Sequence, residues 1–130
     1  MKVGKLLVFF CHFFSMTSQA DTVLDEFKQI ESEASQLRMV VVKCYVQMKL
    51  LKSEGWKSQA CVDYKSIASV DGEKLKVDLK ESSLKFKKNQ KVGKYSYEET
   101  AERMELMYSI KTHFDGFKGI PSKIKELRKT

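Results

Sequence analysis

The residues able to do chemistry are few. Beyond residue 20 the chain carries one histidine, His113, two cysteines, Cys44 and Cys61, and a run of carboxylates at Glu98, Glu102 and Glu105. A zinc site wants three or four Cys, His or carboxylate ligands at motif spacing, and neither His-Glu-x-x-His nor Cys-x-x-Cys occurs. A c-type haem would need Cys-x-x-Cys-His, also absent. A b-type haem between His113 and a methionine such as Met39 or Met48 is the remaining redox arrangement, but methionines at helical spacing are ordinary core residues. Nucleophilic hydrolysis requires a base within reach of a Ser or Cys, and there is no Gly-x-Ser-x-Gly. Gly93, Gly116 and Gly119 do not make a phosphate-cradling loop. Glu98, Glu102 and Glu105 share a helix face and could in principle serve a glycosidase, but such a run is the ordinary solvated stripe of an amphipathic helix. The expectation is a protein that is not an enzyme, with no catalytic residues, no metal and no cofactor.

The compartment decides how the cysteines and the charge are read. Residues 1–20, MKVGKLLVFFCHFFSMTSQA, place Lys2 and Lys5 before an apolar run from Leu6 to Met16 and end on Ser18-Gln19-Ala20. That is the pattern of a cleavable export signal of bacterial type, with the cut after Ala20. The run is too short for a spanning helix, which needs about 20 apolar residues. Cys11 is not preceded by a lipobox, so a lipoprotein anchor is not expected. The mature chain would be residues 21–130, a single helical domain, periplasmic or secreted. Cys11 leaves with the signal, and an even pair in an oxidising compartment reads as a Cys44–Cys61 disulfide. It would close a loop of about 18 residues and stabilise by about 3 kcal/mol through chain entropy. Two free buried thiols are the rival reading.

The elements follow from periodicity. Phe27, Ile30, Ala34, Leu37, Val41, Cys44, Met48 and Leu51 alternate spacings of three and four, a heptad stripe on a helix over about 22–53. Acidic residues crowd its start and lysines its end, as the macrodipole favours. The stripe could fill the protein's own core or form a homodimer interface. Gly55 stops this helix, and Trp56, Ala60, Cys61, Tyr64 and Ile67 predict a second over about 57–69, ended by Asp71-Gly72. Bonded Cα atoms must lie under about 7 Å apart, so either the first helix frays early or the connection is longer than a tight turn. Residues 73–92 read as a further helix carrying a Glu81–Lys85 pair at i,i+4, with a β-hairpin turning at 81–83 as the rival. Residues 89–95 read as a flexible loop. Ser96 and Glu99 form a capping box before a helix to about 117 bearing Ala101, Met104, Met107, Tyr108, Ile110, Phe114 and Phe117. Gly116, Gly119 and Pro121 break it, and residues 122–129 suit a short last helix with Ile124 and Leu127 inward. The expected fold is all-α, a small bundle of about four helices with one intramolecular disulfide.

Charge supplies the functional lead. The chain is +7 overall, and removing Lys2 and Lys5 leaves +5. Export moves a basic surface away from nucleic acid and toward anionic lipid, lipopolysaccharide or acidic proteins. Residues 73–94 hold eight lysines against Glu73, Asp78 and Glu81. Their end, Lys87, Lys88, Lys91 and Lys94, runs into Tyr95 and Tyr97, a pairing of cations and aromatics suited to a partner-binding surface. The bland reading is that these lysines solubilise the fold and pair loosely with the acidic stretch 98–105. The sequence thus points to an exported protein-binding protein, most concretely an inhibitor or immunity protein whose basic loop 87–97 plugs the active site of an envelope-targeting toxin or hydrolase. The rivals are a module binding anionic lipid or lipopolysaccharide, and a dimeric helical structural or chaperone-like protein.

Overall fold

The apolar stripe of the first helix predicts one buried face, and that face organises everything else. A computed structural model describes residues 22–130, except the side chains of 68–70; the segment read as an export signal lies outside the described residues. Helix α1 spans Thr22–Leu51, a 3-10 turn spans Lys52–Lys57, and helices α2, α3 and α4 span Gln59–Lys91, Tyr97–Phe117 and Ile120–Leu127. The all-α architecture and its disulfide are as the sequence predicts. Among the described residues there is no strand, and no helix is long and apolar enough to cross a membrane.

Phe27, Ile30, Ala34, Leu37, Val41, Cys44 and Met48 are all buried, joined by Val23 one turn earlier. Their stripe covers about 100° of the helix surface, and partly buried side chains flank it. Helix α1 accordingly contacts α2, α3 and α4, whereas α2 and α3 meet only briefly. The stripe is therefore spent on the protein's own core. Only Leu51, at the very end, faces solvent.

The turn after α1 satisfies the disulfide without fraying the helix. Lys52 adopts φ 56°, a left-handed conformation that ends α1, at a cost of about 1–2 kcal/mol for a residue with a Cβ. The 3-10 turn then folds back onto α1 so closely that a Cβ at Gly55 would lie 2.5 Å from the Gln47 carbonyl oxygen and 2.9 Å from the Met48 nitrogen. Ser58 caps α2 by accepting from the Cys61 amide, and its hydroxyl donates to the Gly55 carbonyl at 2.6 Å. This brings the Cys44 and Cys61 Cα atoms to 4.5 Å, and the two sulfurs are bonded. Gly55→Ala should destabilise by about 1–3 kcal/mol, because its clash is with backbone that cannot rotate away; a denaturant midpoint equal to that of the unmodified protein would contradict the close approach.

One boundary expectation fails in the next helix: Asp71-Gly72 does not end it. Residues 73–91 are helical, as the favoured reading of that stretch had it, and no hairpin forms, but they continue the same helix. Helix α2 is continuous for 33 residues, about 50 Å. A lone glycine costs only about 1 kcal/mol inside a helix, and burial of Cys61, Leu75, Ser82 and Phe86 along one face offsets it. Gly72 sits inside this span with room to spare: a Cβ there would meet only Leu37, at 3.9 Å. The expected Glu81–Lys85 ion pair is also replaced. Lys85 Nζ reaches Glu26 Oε1 on α1 at 2.7 Å, and Ser82 Oγ donates to Glu26 Oε2 at 3.0 Å. Glu26 thereby pins the far half of α2, and its hydrogen bond and charge raise the Lys85 ammonium above its ordinary pKa.

Helix α3 begins with the predicted capping box at Ser96 and Glu99. Its inward face differs from the expectation: Met104 and Tyr108 are exposed, while Arg103 is buried beside Ile110. Gly119, with φ 79°, redirects the chain into α4, where Ile124 is buried and Leu127 packs against the core.

Candidate functional site

The lysine-rich end of α2 is built from the inside outward. Phe86 meets Phe27 edge-on, ring centroids 6.0 Å apart, and stacks on Tyr95 at 5.8 Å. The Arg103 guanidinium lies 4.2 Å over the Tyr95 ring, and Arg103 Nη1 donates to the Glu99 carbonyl at 2.9 Å. Four side chains from α1, α2, the connecting segment and α3 thus form one ladder. Arg103 is 2% exposed, and placing a delocalised cation on an aromatic face is a favourable way to bury it.

This ladder fixes the segment between α2 and α3, which is not the flexible loop that its composition suggests. The helix ends in a Schellman motif: Gly93, at φ 74°, donates to the Gln90 carbonyl, and Lys94 donates to the Asn89 carbonyl. Asn89 Nδ2 donates to the Tyr95 hydroxyl at 2.9 Å. The Glu99 carboxylate accepts from the Ser96 amide at 3.0 Å, which holds its pKa below the usual carboxylate range.

The predicted partner-binding residues therefore separate into two roles. Lys87, Lys88 and Lys91 project from the last turns of α2, Lys94 follows the αL glycine, and all four are exposed. Tyr97, the first residue of α3, is 89% exposed. Tyr95 is half-buried, stacked on Phe86 with the Arg103 guanidinium over its ring, and so has a packing role beside the one expected of it. Among the described residues, Lys80, Lys87, Lys88, Lys91 and Lys94 make no ion pair. In particular, among the described residues none of them forms a direct ion pair with Glu98, Glu102 or Glu105. Leu84 and Val92, 58% and 67% exposed, lie among these lysines and give the surface an apolar component. The sequence reading missed both, although the helical position of Leu84, opposite the Phe86 face, is visible from spacing.

Glu98, Glu102 and Glu105 are exposed on α3, and no set of three or more His, Cys, Asp or Glu among the described residues could hold a metal ion. His113 lies part-buried on α3, and its Nδ1 has no hydrogen-bond partner. No protein family, curated protein or solved structure matches this chain.

Proposed function

We propose that this is an exported, non-catalytic binding protein that captures an acidic protein partner with the lysine-rich end of α2. The most concrete form is an inhibitor or immunity protein that occludes the active site of an envelope-targeting toxin or hydrolase. The observation that carries this reading is a set of unpaired lysines held on a fixed helix end beside the almost fully exposed Tyr97. Unpaired charges retain their full field for steering an acidic surface, and a fixed backbone lowers the ordering cost of binding. In this reading residues 1–20 are removed on export, and the Cys44–Cys61 bond forms in the oxidising compartment. The plug is a helix end, not a loop.

Leu84 and Val92 favour a second reading. Apolar side chains interleaved with lysines suit an anionic membrane or lipopolysaccharide surface, to which each lysine contributes about 1 kcal/mol. The experiment is capture from native envelope extract, compared between the unmodified protein and a variant with Lys91, Lys94 and Tyr97 all replaced by Ala. A protein captured by the first and lost, at least tenfold, by the second supports the plug. A protein captured equally by both refutes it. Co-sedimentation with anionic vesicles in the absence of any captured protein would replace the plug with the lipid reading.

A further inference from the structure

The outer face of α1 carries an apolar line that the core does not use. Met39, Val46 and Leu50 are 53%, 45% and 72% exposed. At 3.6 residues per turn they fall within about 40° of one another, on the side of the helix opposite Val41, Cys44 and Met48. Helices α2, α3 and α4 all pack against α1, and together they leave this line open. One exposed apolar side chain would need no explanation. Three aligned along about 16 Å of a single helix do.

The flanks of the line are basic. From Ala34 to Ser53 the chain has four cations and no Asp or Glu. Arg38 lies against Gly116 of α3. The other three, Lys43, Lys49 and Lys52, are exposed and make no ion pair among the described residues. Lys43 and Lys49 stand three residues before and after Val46, about 60° to either side of it around the helix. Lys52 follows Leu50 just past the helix end. Lys49 Nζ lies 5.5 Å from the Tyr45 ring centroid, and Lys123 Nζ of α4 lies 6.0 Å from the same centroid. Glu126 of α4 lines the crevice that Lys49, Lys52 and Lys123 share, but forms an ion pair with none of them.

We infer that this face lays α1 on an anionic phospholipid bilayer, with Met39, Val46 and Leu50 at the headgroup–acyl boundary and Lys43, Lys49 and Lys52 among the phosphates. An apolar stripe bordered by lysines is the pattern with which a helix lies in the plane of a membrane interface, and each lysine near the surface adds attraction to anionic headgroups. Charge disfavours a second copy of the chain as the occupant, because pairing two such faces sets lysine beside lysine. Three apolar side chains also fall short of the roughly 800 Å² that each partner gives a stable protein interface. The surface is separate from the lysine-rich end of α2, and the inference does not rest on the plug. Phe86, at that end, meets Phe27, and Phe27 lies about 28 Å along α1 from Val46.

The test uses the protein recovered from an exporting host and follows co-sedimentation with vesicles of phosphatidylcholine, alone or mixed with phosphatidylglycerol. Saturable binding to the mixed vesicles is expected, at least tenfold tighter than to phosphatidylcholine. Met39→Gln with Val46→Gln and Leu50→Gln should weaken it at least tenfold, as should Lys43→Gln with Lys49→Gln and Lys52→Gln. All six residues are exposed, so both variants should keep the helical content of the unmodified protein. Replacing Lys87, Lys88, Lys91 and Lys94 together by Gln should change vesicle binding less than twofold. With Leu50→Trp placed in a Trp56→Phe background, emission should shift to the blue on mixed vesicles, which a purely electrostatic contact would not produce. Absence of binding, absence of the blue shift, undiminished binding by either α1 variant, or loss of binding in the α2 variant instead would overturn the assignment. So would a dimer in light scattering that the Met39/Val46/Leu50 variant dissolves, since that places a second copy on this face.

Discussion

Phe86→Ala should lower stability by about 3–5 kcal/mol, the range for truncating a buried phenylalanine. Phe86 is 4% exposed and joins α2 to two other parts of the chain at once, edge-on to Phe27 and stacked on Tyr95. Its removal opens a cavity and also takes away the face on which Tyr95 rests. For a domain of this size the melting temperature should fall by about 10 °C or more. The effect on binding should be larger than stability alone explains. Without the stack, the Lys94–Tyr97 segment loses the contact that orders it, and partner capture should weaken at temperatures where the variant remains folded. Phe86→Leu, which keeps most of the volume but not the stacking, separates the two: stability should largely return and capture only partly. A loss below about 1 kcal/mol in Phe86→Ala would mean that Glu26, through Ser82 and Lys85, holds this end of α2 unaided.

Replacing Cys44 and Cys61 together by Ala should cost about 3 kcal/mol, the chain-entropy value for a closed loop of this length. Both residues are completely buried in the core, so truncating the side chains adds to the loss. Thermal melts with and without reductant provide the check. The reduced, unmutated protein isolates the cross-link, and the alanine pair adds the missing volume. Because the bond acts mainly on the unfolded chain, helical content at low temperature should be unchanged when it is reduced. A reduced protein that melts at the same temperature as the oxidised one would show that the Gly55 turn alone keeps α1 and α2 in register. Cys61 and Phe86 lie more than 30 Å apart along α2, so the two losses should add.

Much of this fold is legible in the residues. The stripe of α1 reads correctly from Phe27 to Met48 because every member faces one core, and spacing carries that information directly. The capping box at Ser96 reads correctly because it is a local exchange of two hydrogen bonds. What fails is set by partners distant in sequence. Asp71-Gly72 carries a local stop signal, but Leu75 and Phe86 bury against α1 and carry the helix through it. Lys85 has a suitable carboxylate four residues earlier, yet the better-placed Glu26 comes from 59 residues away. Residues 89–95 look mobile by composition because the stacking of Tyr95 between Phe86 and Arg103 depends on the meeting of two helices. Within the candidate site, the four lysines and Tyr97 were readable as exposed; the structural duty of Tyr95 was not.

The central place of α1 has a consequence for how this chain can change over time. Helices α2 and α3 lean on α1 and scarcely on each other, so their outer faces are under separate constraint. One displays lysines and the other Glu98, Glu102 and Glu105, and neither set is needed to balance its neighbour. Substitutions on either face can therefore accumulate without a matching change on the other. Such an arrangement lets a small protein track a drifting partner with one helix while its inner stripe stays fixed.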